Sequence, residues 1–386
     1  MTKSSSLMWQ GVWRAAAVAA VAAALGPLGC ATAKREVPPG PPMPVDTAAL
    51  AAANMQVLWK TVVPVPGGQS LTHLWLDGPY LTALDSNNQV YLMDSATGVR
   101  RWWMQVAKGF QTVQPPAVYK DELWVPTTTT LWTIQCSTGK VLTKMPLEFL
   151  PSTGCVTNGT HVYMGASRGY LEGVSISRDT ASWGRWTDGA ITSRPLLDSG
   201  HIYFASNSGE IYASEQRMRR VVWDYRAEGA VLADLKLSKA GLVLAASMDY
   251  SVYAFEASSG RLVWRFDGGE PVKKPAYPYG GQVYVFTDSQ GLRALDETTG
   301  RVQWQNKDAA DFVAGAGDDV FLLGRDGSLM VLGRTGGQVK YVLPLYRGTI
   351  AALNEMGDGV LYLTTPGGQV MAVSKKAGPG EAAPAP

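Results

Sequence analysis

The sequence predicts an all-β protein: an eight-bladed β-propeller of four-stranded antiparallel blades, its last blade closed by a strand from near the N-terminus. Three observations carry that expectation. A phrase of acidic residue, Ser/Thr-Gly and delayed tryptophan returns about every forty residues. Inside each unit the hydrophobic period is two. The last unit lacks a fourth strand, and the first strand of the chain has no preceding three. Composition agrees: 46% of the 386 residues are hydrophobic, so a large core can be buried, and 13 tryptophans with 42 glycines favour short strands and tight turns.

Residues 1–29 read as a signal peptide. Lys3 and Arg14 supply the basic end, and Ala15–Leu25 is an eleven-residue apolar stretch, too short to span a bilayer. Gly29–Cys30 resembles the cleavage site of bacterial lipoproteins, with Cys30 as the lipidated residue, although Pro27 stands where leucine is usual. The alternative is secretory cleavage after Ala33, since "ATA" satisfies the small-x-small rule. Either route exports the chain. Ala31 is not the aspartate of an inner-membrane retention signal, so the expected location is the outer membrane, facing the periplasm, or a soluble periplasmic or secreted state after cleavage at Ala33. Without residues 1–29 the basic and acidic side chains are equal in number, which gives no electrostatic case for nucleic acid or an anionic membrane surface.

Residues 30–55 are expected to be the lipidated cysteine and a tether. Five prolines within 38–44 favour an extended path there. The propeller is expected over 56–374, opening with "QVLWKTVVP" (56–64), an unaccompanied fourth strand with Trp59 in the tryptophan place. A disordered tail is expected over 375–386.

The repeat itself is Ala-x-Asp-x-x-Thr-Gly-x-x-x-Trp. Residues 294–304 fit every marked position, 254–264 use Glu256 and Ser259, and 92–102 place Leu92 first. The unit of Ala213 keeps Glu215 and Trp223 but has Arg219 for glycine. The preceding unit keeps Gly173 and Trp183. Residues 133–143 end on Thr143, and 331–341 carry Gly337 and Tyr341. The closing positions are therefore 102, 143, 183, 223, 264, 304 and 341. In this frame Gly98, Gly139, Gly260 and Gly300 supply the positive φ of a tight turn into the fourth strand, and the acid and Ser/Thr hold that turn. Trp59, Trp102, Trp183, Trp223, Trp264, Trp304 and, in their place, Tyr341 are expected to fold back over the turn and fill the gap to the neighbouring blade. The small first residue makes room for the ring. "GVLYLTTPGGQVMAVSKKAG" (359–378) then ends the chain of units three strands in, and the strand of Trp59 completes it.

These residues resemble the tryptophan-docking repeat of propellers related to pyrroloquinoline-quinone enzymes. A single eight-bladed exported ring is similar, within that group, to the BamB family of outer-membrane β-barrel assembly lipoproteins. The resemblance covers 56–374 and implies a non-catalytic scaffold without cofactor. It implies protein partners, the barrel-inserting subunit foremost, and a monomer held within a larger complex and on the membrane only by its lipid. The positional candidate for partner binding is "SWGRWTDGAI" (182–191), with Arg185 and Trp186, residue types enriched at binding hot spots; the alternative is that Trp186 packs on the rim.

Two other classes were weighed. A quinone-dependent dehydrogenase, by resemblance, would bring Ca²⁺, a catalytic aspartate and adjacent cysteines. Cys30, Cys136 and Cys155 do not adjoin, and Asp85, Asp94, Asp296 and Asp326 fall at repeat or turn positions. A scaffold of another envelope complex (secretion, motility or polysaccharide) fits the same ring. No catalytic or metal residues are assigned: His161 and His201 are repeat equivalents, His73 stands alone, and "GRDGSL" and "TPGGQV" are hairpin turns rather than phosphate loops. If Cys30 is lipidated, Cys136 and Cys155 are the remaining candidate disulfide pair, one beside an outer strand and one near an inner strand.

Overall fold

The computed structural model describes residues 42–176, 182–216 and 220–376. The signal peptide (1–29), Cys30 and the tail beyond Lys376 lie outside them. Eight four-stranded antiparallel sheets occur among the described residues. Blades 1 to 7 are residues 71–105, 117–146, 156–186, 196–226, 236–267, 277–306 and 309–343, each running inner to outer in chain order. Blade 8 is residues 350–375 with Met55–Val62 as its outer strand, so the expected closure by the N-terminal strand is what the chain does.

The core is eight clusters, one at every blade–blade junction. Strand alternation explains this. In Gln89–Asp94, Tyr91 and Met93 join the cluster shared with blade 8, while Val90 and Leu92 join the one shared with blade 2. Both faces of a middle strand are buried, which is why these strands read as nearly continuous apolar runs.

The motif residues sit as their chemistry requires. Asp296 Oδ1 accepts from the backbone N–H of Thr298 and Thr299 (3.1 and 2.9 Å) and from the Thr299 hydroxyl (2.9 Å), pinning the turn. Ala294 lies opposite Trp304 across the strand pair, as Ala254 does Trp264 and Leu92 does Trp102.

One expectation needs correcting. Each tryptophan covers the turn of the next blade, not its own. Trp223 Nε1 donates to Ala257 O (2.8 Å), Trp264 to Glu297 O (2.8 Å), Trp102 to Cys136 O (2.9 Å) and Trp59 to Ser95 O (2.9 Å). The rings lie on the turn glycines: a Cβ at Gly98, Gly139, Gly260 or Gly300 would come within 3 Å of Trp59, Trp102, Trp223 or Trp264 respectively. These glycines therefore serve two ends, a positive φ and a flat platform for indole. Trp183 is buried against Tyr163.

Tyr341 does not dock; it is 40% exposed. On the blade 8 side, Lys376 N–H bonds Asn54 O (2.9 Å), joining the two closing strands. The gap there is filled instead by part of the expected tether. Thr47–Ala52 form a helix capped by Asp46, whose Oδ1 accepts from Ala48 N–H (3.0 Å), and Val45, Leu50 and Ala53 are buried in the junction of blades 7 and 8. The prolines exclude helix only up to Pro44; the apolar spacing after Asp46 does not.

Candidate functional site

Arg185 and Trp186 belong to Trp183–Trp186, the outer strand of blade 3, rather than to the connection after it. Neighbours on a strand point to opposite faces, and this pair separates accordingly. Trp186 is 62% exposed and leans on Tyr170, with ring centroids 4.6 Å apart. The Arg168 guanidinium lies 5.4 Å from the Trp186 ring and 5.3 Å from the Tyr170 ring. Together they line a cleft of about 560 Å³ against Met145, Leu147 and Phe149 of blade 2 and its connection. Arg185 turns the other way, its guanidinium 5.6 Å from the Tyr212 ring of blade 4. Trp186 thus offers an exposed aromatic surface, whereas Arg185 is half-buried at the next junction.

The ring encloses a second space of about 520 Å³ lined by inner-strand residues. Its charged members were not singled out from the sequence. Arg194 spans three blades: its guanidinium donates to Cys155 O (3.0 and 2.6 Å) and Pro116 O (2.8 Å), and its backbone N–H donates to Asp234 Oδ1 (2.7 Å). Asp77 accepts from Val118 N–H (2.8 Å), and burial, opposed by that bond and by Arg194, holds its carboxyl above the usual range. Lys236 pairs with Glu355 (2.9 Å) and stands 5.3 Å from the Tyr277 ring. The sequence carried a faint signal: Arg194 and Asp234 occupy equivalent places in successive connections, forty residues apart. Arg194 spends its guanidinium on carbonyls and Lys236 its ammonium on a carboxylate, so these groups brace the bore from blade to blade.

Cys136 and Cys155 are free, buried thiols, so the candidate disulfide is not formed. Cys136 lies in the junction of blades 1 and 2 and Cys155 in that of blades 2 and 3, with the sheet of blade 2 between them. Burial first, and nearby carboxylates for Cys136, push each thiol up to about 12. The Cys155 Sγ–H points at Trp124 O (3.4 Å). Neither thiol has the thiolate character a nucleophile needs. His201 is spent on Asp198 (3.2 Å) beside Tyr203, a local strand-end contact. No group of three or more His, Cys, Asp or Glu able to hold a metal occurs among the described residues.

A family model described as "Outer membrane protein assembly factor BamB" matches residues 45–225 and 220–381. A curated relative, the outer membrane protein assembly factor BamB of Yersinia pestis, is 21% identical over 203 residues, 48% of this chain and 51% of that protein. The match thus spans about half the length of that relative. Among solved structures, BamB from Moraxella catarrhalis superposes with a TM-score of 0.66 at 15% identity, covering 83% of this chain and 99% of that one. The computationally designed Ika8 protein gives the same values, so at this identity the superposition speaks for the fold alone. With the family model matched on both halves of a ring closed by the strand Met55–Val62, this chain belongs to the outer membrane protein assembly factor BamB family of PQQ-type propellers.

Proposed function

We propose that the protein is a non-catalytic scaffold for assembling outer-membrane β-barrel proteins, exported and anchored by lipid at Cys30, which docks on the barrel-inserting subunit of the machinery. The observation that carries the reading is the family match running from residue 45 to 381. The relatives' names supply the process, and the ring supplies the means: rigid junctions that hold many loops in fixed positions. Arg194 and Lys236 of the bore are held by groups of neighbouring blades, which supports a bore that braces the ring. Within that reading the cleft of Trp186, Tyr170 and Arg168 is the partner-binding patch, and Arg185 keeps the strand that carries Trp186 in place.

The test is gentle detergent extraction of native membranes, pull-down of this protein and mass spectrometry of what comes with it. Recovery of a large barrel-inserting protein in near-equal amount is the expected result, and Trp186→Ala should reduce it at least tenfold while leaving the thermal midpoint unchanged. A different stable set of envelope proteins in its place would overturn the assembly role and favour a scaffold of another complex.

A further inference from the structure

One face of the ring carries the blade-to-blade connections together with the turns between second and third strands. The hydrogen bonds Val106 N–H to Asn88 O (3.2 Å), Leu147 N–H to Thr129 O (2.9 Å) and Val63 N–H to Gly368 O (2.8 Å) join the two sets. This face is divided by charge. From the connection 344–349 through blades 8 and 1 to the connection 147–155, the loops contain only Lys108, Glu148 and Arg347 as charged residues, and 63–70, 86–88, 127–129 and 365–368 contain none. The opposite arc is dense in charge with acids in excess: Asp188, Glu228, Asp249, Glu270, Asp288 and Asp308 stand beside Lys273, Lys274, Lys307 and Arg325.

Apolar side chains stand at the tips of the charge-poor arc. Phe110 is exposed at 107% of its reference area, lifted by a turn in which Gly109 has φ +62° and in which Gln111 N–H meets Lys108 O (3.4 Å). Leu150 is 58% and Tyr346 47% exposed on neighbouring connections. Leu232 and Tyr250 are exposed on the opposite arc among charged neighbours, whereas Phe110, Leu150 and Tyr346 stand where charge is nearly absent, which is what sets this arc apart.

The described chain begins beside this arc. Val45 bridges Leu345, and Pro44 O accepts from Tyr346 N–H (2.8 Å). Cys30 stands twelve positions before Pro42, and that stretch of chain reaches about 40 Å when extended. An anchor at Cys30 would therefore leave the start of this arc within about 40 Å of the membrane.

We propose that the charge-poor arc is a lipid-facing surface: Phe110, Leu150 and Tyr346 enter the interfacial layer of a bilayer, and the acidic arc stays in water. Aromatic side chains favour that layer, apolar burial drives the contact, and the hydration of the charged arc keeps it in water and so fixes the tilt. The contact does not depend on which protein the scaffold serves, so it stands or fails separately from the pull-down above.

The test uses the full chain reconstituted in phosphatidylcholine vesicles, with an environment-sensitive fluorophore at Phe110→Cys or Leu150→Cys. Tyr250→Cys, on the acidic arc of the same face, is the control, and the unsubstituted chain gives the background; Cys136 and Cys155 are buried and do not label. The expected result is blue-shifted emission at 110 and 150, and quenching by brominated acyl chains at least threefold stronger than at 250, unchanged in 0.5 M salt. Water-like emission at 110, equal quenching at 110 and 250, or loss of the signal in salt would each overturn the proposal.

Discussion

Gly260→Ala isolates the contact by which one blade grips the next. Gly260 has φ +72°, and a Cβ there would lie 2.4 Å from Trp223 Cγ. Gly241 has φ +77° with nothing within 4 Å of the same added atom, so it matches the strain without the collision. Alanine in left-handed backbone costs roughly 1–2 kcal/mol, partly offset by the smaller entropy of the unfolded chain, so Gly241→Ala should cost about 1 kcal/mol. Gly260→Ala must also displace the indole. That sacrifices the Nε1 bond to Ala257 O, worth about 1 kcal/mol, and part of the ring's burial, worth about 1–2 kcal/mol more. The total is about 3–4 kcal/mol. In a Trp223→Ala background the collision is gone, and Gly260→Ala should again cost about 1 kcal/mol, a coupling of about 2 kcal/mol. Urea unfolding followed by far-ultraviolet circular dichroism reads all four corners of the cycle. With m near ~3 kcal/mol/M, the two glycine variants should differ in midpoint by about 0.8 M. Equal midpoints for Gly260→Ala and Gly241→Ala, or an unchanged cost without Trp223, would refute the view that indole on glycine is what joins the blades.

Three further outcomes are expected. Asp319, whose side chain is 2% exposed, bonds both Lys340 of blade 7 and Lys375 of blade 8 (2.7 Å to the latter), and Asp319→Ala should cost about 1–2 kcal/mol by removing a carboxylate that joins the two blades, the exposure of the lysine side chains (34% and 47%) keeping the loss small, measured by urea midpoint. Burial raises the Asp319 carboxyl, but the two lysines outweigh it and its folded pKa falls below the ordinary value of 3.8. Its stabilisation is therefore complete above the unfolded pKa and is lost as pH drops through the folded one, so the stability gap between wild type and Asp319→Asn should close below about pH 4. Leu50, 1% exposed in the junction of blades 7 and 8, should cost about 2–4 kcal/mol as Leu50→Ala in a thermal melt, where a spacer residue would cost nothing. At pH 8 a disulfide thiol reagent should leave Cys136 and Cys155 untouched in the native chain and titrate both on adding denaturant.

What the sequence made legible follows from what repetition imposes. Five of the described junctions solve one packing problem with residues of narrow chemistry: indole on a positive-φ glycine, joined at Asp94 and Asp296 by a carboxylate that accepts from two N–H groups. Those survive at fixed spacing, so blade number, closure and the roles of Gly98, Gly260 and Trp264 could be read directly. Which turn each tryptophan covers could not, because a period of forty is the same whether the ring reaches back or forward. The bracing groups of the bore were missed for a related reason. Arg194 is held by carbonyl oxygens of Cys155 and Pro116, and a backbone acceptor has no sequence signature. Arg185 and Trp186 were found as residues of suitable type, but as a connection they read as one patch, and only as a strand do they part to opposite faces.

Docking that always reaches forward gives the ring a direction, and a direction creates a problem at one place. The tryptophans whose partners are described rest on the motif turn of the following blade, whereas beyond blade 7 the strands of Met55 and Lys375 come together, Lys376 N–H bonding Asn54 O. Position 341 is a tyrosine, 40% exposed, and not an indole. The seam is closed by unrelated parts: apolar side chains of the segment 45–53 in place of the ring, and a buried carboxylate between Lys340 and Lys375 in place of the indole bond. Because Lys375 and Met55 are paired across the closing strands, loosening either substitute frees the outer strand of blade 8 and opens the ring at its edge. The part of the chain that looks least like the rest of the propeller is therefore what allows the other seven junctions to form a circle.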